Sequence, residues 1–118
     1  MRIVTTTRLD AFGNAHPPAA SVLAKWQVVV KAAHWRSPED VKRTFKNADW
    51  VAPLWVFDIS RNRIVAYVQY EYTYINVEQG FEVQKTAQGI VFIKGVYTHP
   101  EYDKLDIASL DSKKGAAA

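Results

Sequence analysis

The chain contains no cysteine. Disulfides, thiolate nucleophiles and zinc–thiolate sites are therefore excluded together. It also lacks any apolar run long enough to cross a bilayer, and Met1 to Asp10 has no apolar segment of the signal-peptide kind. The expected location is cytoplasmic, with no membrane partner. Glycine and proline are sparse, five of each among 118 residues, and there are no internal repeats or long linkers. No nucleophile elbow, phosphate-binding glycine loop, zinc motif or paired-carboxylate spacing occurs. His16 and His34 make no metal-ligand spacing with each other or with His99, so both are assigned to packing or surface. Neither a metal nor a cofactor is expected.

What is present is the composition of one globular domain, 48% hydrophobic, 13% aromatic and 23% charged. The expected domain spans residues 1–112, and 113–118 read as a disordered tail or an expression remnant. The formal charge is +3, unevenly spread. Lys25 to Arg63 holds eight basic residues against four acidic ones, whereas Ile64 to Ser112 holds three against seven. The middle of the chain is the part suited to face an anion.

Arg2 to Thr5 reads as a short edge strand and Arg8 to His16 as a helix that Pro17 and Pro18 break. Val22, Leu23, Trp26, Val29, Val30 and Ala33 then recur at three- and four-residue spacing, which predicts an amphipathic helix over Ala19 to Trp35. Ser37-Pro38-Glu39-Asp40 is a helix-start signal, with a short helix to about Lys46 that exposes Lys42, Arg43 and Lys46. Trp50 falls in the connecting loop. Strand character follows at Leu54 to Ile59, over Arg63 to Val77 as one alternating run, at Phe81 to Lys85 and at Ile90 to Tyr97. Turns are expected at Ser60 to Asn62 and at Glu78-Gln79-Gly80, and a bulge or second turn at Thr86 to Gly89. The fold class is α+β, with two or three N-terminal helices packed on an antiparallel meander.

Candidate chemistry gathers where the last strand ends. Lys94 shares a strand face with Ile90 and Phe92, and His99, Tyr102 and Asp103 follow the strand. Histidine titrates near working pH and can move a proton, while lysine and arginine neutralise phosphate charge, so the cluster suits transfer at a phosphodiester. Tyr102 can donate a hydrogen bond or stack on a base. Each residue also has a plain reading: His99 as a surface turn, Lys94 as a snorkelling side chain, Tyr102 as an anchor for the terminal segment. Arg61 and Arg63 read as a soluble turn, and Lys42, Arg43 and Lys46 as a solvated helix face that could also receive RNA.

Several segments together resemble a known family. They are W-R-S-P-E-D-V-K-R-T-F (Trp35 to Phe45), A-D-W-V (Ala48 to Val51), V-F-D-I (Val56 to Ile59) and above all T-H-P-E-Y-D-K-L (Thr98 to Leu105). In that order they are similar to the HigB-type toxins of the RelE-like superfamily, over roughly Trp26 to Asp106. The resemblance implies helices on a curved antiparallel sheet, and an endoribonuclease that cuts messenger RNA on the ribosome using the RNA's own 2′-hydroxyl. It also implies a partner antitoxin, usually with a helix-turn-helix domain; a homo-oligomer or a toxin–antitoxin hetero-oligomer is the expected assembly. By the same resemblance His99 would transfer the proton, Tyr102 orient or stack, and Lys94 and Arg63 supply positive charge. Arg61, Lys46, Arg43 and Lys42 would contact RNA. The chain departs from the family in a long aromatic and acidic hairpin, Tyr70 to Gln88, between the last two strands. Its carboxylates Glu71, Glu78 and Glu82 suit a protein partner, either the antitoxin or a second copy, better than RNA. A non-catalytic interaction module that uses this hairpin is the alternative reading, and a small-molecule-binding domain a third.

Overall fold

The apolar stripe of the long helix decides which face of the sheet is covered. A computed structural model describes residues 1–105; the 113–118 tail, the domain end at 112 and Asp106 lie outside the described residues. Strand β1 (Arg2–Val4) leads into α1 (Thr6–Ala15) and α2 (Pro17–Ala32), which only His16 separates. The proline pair opens α2, because the first helical turn needs no proline N–H. Helix α2 stops at Ala32, three residues short of the sequence expectation, where Ala33 becomes extended. Helix α3 (Pro38–Thr44) also ends early, at Thr44. In its first turn the Asp40 carboxylate accepts from the Arg36 N–H at 2.9 Å.

The sheet holds β1, β2 (Asp49–Val51), β3 (Leu54–Ile59), β4 (Asn62–Gln69) and β7 (Ile90–Thr98), in the order β1-β7-β4-β3-β2. It departs from a pure meander at β1, which pairs with β7 in parallel. Trp50, expected in a loop, lies in the exposed edge strand β2 opposite Trp55. Leu23, Trp26 and Val30 of α2 pack with Trp35 and Val41 onto Trp55, Phe57, Ile59, Ile64, Ala66, Val91 and Ile93 of the sheet. Phe57 lies at the middle of this layer, its ring 5.3 Å from Trp26, 5.4 Å from Phe45 and 6.0 Å from Trp35. The Trp35 indole N–H donates to the Thr44 hydroxyl at 2.9 Å, so it ties the end of α3 to the core. On the opposite face a smaller cluster, Leu54, Val56 and Val65, carries Tyr67, Tyr97 and Tyr102.

A bulge decides what the end of β7 presents. Ala66 faces Ile93 but Val65 faces Gly95, so Lys94 is the extra residue on β7. Past it the alternation changes sides. Val96 joins the helix-covered core, while Gly95 and Tyr97 share the open face with Phe92, which differs from the simple alternation read in the sequence. The Tyr97 ring lies directly over Gly95, where a β-carbon would have no room.

The long run Arg63 to Val77 is two strands, β4 and β5 (Tyr72–Glu78), interrupted at Tyr70 and Glu71. The Tyr70 hydroxyl accepts from the Trp55 indole N–H at 2.9 Å, and the Glu71 amide donates to the Trp35 carbonyl at 2.8 Å. The Glu71 carboxylate pairs with His34 at 3.0 Å and Arg36 at 3.7 Å. Glu71 therefore clamps the loop after α2, a structural role the sequence did not indicate. β5 pairs with β6 (Phe81–Ala87) as a separate two-stranded sheet, closed by Gln79 and Gly80, both at positive φ. Its register continues that of β4 and β7: Gln69 faces Ile90, and Tyr72 faces Ala87. The hairpin thus continues the register of the central ladder.

Candidate active site

Thr98 ends β7 and starts α4 (His99–Asp103) through a capping box. The Glu101 amide donates to the Thr98 hydroxyl at 3.4 Å, and the Thr98 amide donates to the Glu101 carboxylate at 2.8 Å. The His99 amide donates to the Arg61 carbonyl at 3.1 Å, which fastens the helix to the β3–β4 turn. The Thr98 amide, and secondarily its hydroxyl, hold the Glu101 carboxyl below its ordinary value of 4.5. A carboxyl whose pKa is lowered by folding stabilises at pH values above the unfolded pKa, and loses that contribution as pH falls through the lowered folded value. Protection of the His99 amide from hydrogen exchange should therefore weaken on acidification below about pH 4.5. In Glu101→Gln that acid-dependent change should largely disappear; an unchanged acid profile in the variant would assign the effect to another group.

Arg63 stands opposite Asp58 on β3 and Tyr97 on β7. Its side chain is only 15% exposed, and Nη1 bonds the Asp58 carboxylate at 2.6 Å. Nη2 meets His99 Nε2. A guanidinium only donates, so Nε2 accepts here and the ring proton lies on Nδ1. Nδ1 faces the Asp103 carboxylate at 3.7 Å. The Arg63 guanidinium also stands 5.8 Å from the Tyr102 ring centroid, a cation–π contact. Burial pushes the Tyr102 hydroxyl pKa above its usual value, with the Asp49 and Asp103 charges adding to the rise and Arg63 opposing it. Burial likewise raises Tyr97. Tyr102 thus keeps its proton near neutral pH.

Of the four residues the sequence nominated for catalysis, three meet: Arg63, His99 and Tyr102. Lys94 lies further back along β7, five residues or roughly 15 Å of strand from His99. Its ammonium is 6.0 Å from the Phe92 ring centroid, and its carbonyl accepts from Arg8 at 3.1 Å. Arg61, with His16, Pro17 and Asn62, lines an open depression of about 340 Å³ on one side of the cluster. Arg43 and Lys46, with Asn47, Phe57 and Asp58, line another of about 330 Å³ on the side of α3. Lys42 is used structurally. Its ammonium donates to the carbonyls of Lys46 at 2.9 Å and Ala48 at 2.8 Å, closing the end of α3.

Asp58, which orients Arg63 and borders the second depression, was missed as a site residue. It is the only exposed position in the otherwise buried strand Leu54–Ile59, and a two-residue turn sets it opposite Arg63. Those two facts were the available signal. The T-x-x-E spacing of Thr98 and Glu101 likewise marks a helix start.

No curated protein matches the chain. The sequence pattern of the HigB toxin family, described as the RelE-like toxic component of a toxin-antitoxin system, matches residues 19–80, more than half of the chain. The match runs from α2 through the β5–β6 turn, so it contains Lys42, Arg43, Lys46, Arg61 and Arg63 and stops before Lys94, His99 and Tyr102. With helices on a mostly antiparallel sheet and a match of that extent, the chain belongs to the HigB family of RelE-like toxins, the toxic components of toxin-antitoxin systems.

Proposed function

We propose that this toxin is an endoribonuclease that cuts messenger RNA on the ribosome, with the RNA's 2′-hydroxyl as nucleophile. The observation that carries the reading is the pairing of Arg63 with His99 Nε2 beside the proton-holding Tyr102. At rest the guanidinium occupies Nε2. A backbone phosphate that takes over the guanidinium frees Nε2 to accept the 2′-hydroxyl proton, and Arg63 then neutralises charge on the phosphorus-bound oxygens. The 2′-oxygen bonds to phosphorus and the bond to the 5′-oxygen breaks, leaving a cyclic phosphate. Tyr102 protonates the departing 5′-oxygen, and solvent returns the proton from His99 to Tyr102. Asp58 holds Arg63 in place, and the Asp103 carboxylate stands on the Nδ1 side of His99. Arg61 on one side and Arg43 with Lys46 on the other provide a basic path for the flanking RNA backbone. Lys94 serves as a more distant phosphate contact.

The toxin works in the cytoplasm, opposed by its antitoxin, a partner that carries a helix-turn-helix domain. Adding the purified protein to a translation extract and mapping transcript ends tests the activity. New ends within translated messages, and a halt in protein synthesis, are expected. Intact messages with unimpaired synthesis would overturn it and favour a non-catalytic binding module.

A further inference from the structure

The free edge of β5 has no counterpart in the site described above. Alternation down a two-residue hairpin makes Glu78 and Phe81 a hydrogen-bonded pair, so the N–H and C=O groups of Thr73, Ile75 and Val77 point away from β6. Glu71 has the same parity, and its amide does point outward, onto the Trp35 carbonyl. Beyond Glu71 the body ends, and among the described residues no backbone hydrogen bond outside the hairpin reaches the next three outward positions. Among the described residues nothing guards this edge. Tyr72 to Val77 contains no charge and no proline, whereas β6 carries Glu82 and Lys85. Tyr72, Tyr74, Ile75, Val77 and Phe81 are all exposed, and a two-stranded hairpin alone in water is marginal.

We propose that β5 is a homodimer interface, in which it pairs antiparallel with β5 of a second copy across a two-fold axis at Ile75. That register overlaps all seven residues of the strand. It also pairs every outward group: Ile75 with Ile75, Thr73 with Val77 and Val77 with Thr73 of the other copy. Neighbouring registers leave part of the set open. Side chains agree with it, because the three outward-bonding positions Thr73, Ile75 and Val77 are uncharged and β-branched, and the register brings no like charges together. The sole acid of the strand, Glu78, is held by Lys85 of its own hairpin at 2.7 Å. Two hairpins become one four-stranded sheet, and the bodies stay apart because the pairing lies on the projecting part of each ladder.

The absence of cysteine supplies the test. In full-length Ile75→Cys the two thiols meet on the axis, where antiparallel Cα atoms lie about 4.5–5.5 Å apart, within disulfide range. In Val77→Cys the equivalent thiols are four residues out of register, about 13 Å apart and out of range. Oxidation should give roughly ten-fold more covalent dimer for Ile75→Cys than for Val77→Cys, which is similarly exposed. The unaltered chain should sediment as a dimer at tens of micromolar, and Ile75→Lys as a folded monomer. Equal cross-linking of both cysteine variants, or a monomeric parent chain, overturns the proposal. So does protection of the β5 amides from hydrogen exchange only when antitoxin is added, which would make the antitoxin the occupant of the edge.

Discussion

Replacing His99 with alanine is expected to lower RNA cleavage by about 10³-fold while leaving the fold intact, the scale of a lost general base. His99 is half exposed and contributes nothing to the core. Arg63 keeps its 2.6 Å bond to Asp58 when the imidazole is gone, so no cation is stranded. The loss should therefore lie in turnover, with RNA affinity close to that of the parent. Cleavage rate and binding measured on one oligonucleotide separate the two. Parent-like cutting by the variant would remove His99 from the reaction. Arg63→Ala is a less clean probe, because it removes a phosphate partner and also leaves Asp58 without its guanidinium.

The largest expected change in stability comes from Phe57→Ala, at about 3–5 kcal/mol. Phe57 is buried beneath Trp26, Trp35 and Phe45, three rings fixed by different segments. Neighbours held in this way cannot all move inward, so most of the removed volume remains as a cavity. A typical domain is stable by about 5–15 kcal/mol, so the variant should be only marginally folded at room temperature. The midpoint of urea unfolding measures the effect. Val28→Ala is the control, since Val28 lies on α2 but is exposed, and its midpoint should barely move. A Phe57→Ala midpoint as high as that of Val28→Ala would mean that the aromatic layer is not what holds helices to sheet.

Features with a local cause were legible in the sequence. The stripe from Val22 to Val30 announced α2, Ser37-Pro38 announced α3, and the alternation after Arg63 announced β4 and β5. The interruption of that run at Tyr70 and Glu71 was not legible, because its cause is distant: Trp55 takes the tyrosine hydroxyl and Trp35 takes the amide of the next residue. The β1–β7 pairing joins strands 88 positions apart, with no local mark on either. Within the candidate site, His99 and Tyr102 were visible through a motif. Asp58 required strand register, and the side to which Lys94 and Tyr97 turn required the bulge. One unpaired residue reverses every orientation after it, and strict alternation carries no sign of that residue.

The shared register of hairpin and central ladder also sets a distance. The ribbon runs from Asn62 and Thr98, beside the Arg63–His99 pair, to the turn at Gln79 and Gly80. That is about 50 Å of strand, close to the 56 Å long dimension of the molecule. A partner that covers only the turn end of the hairpin therefore leaves the Arg63–His99 pair uncovered, and a chain held there should still cut a short free RNA.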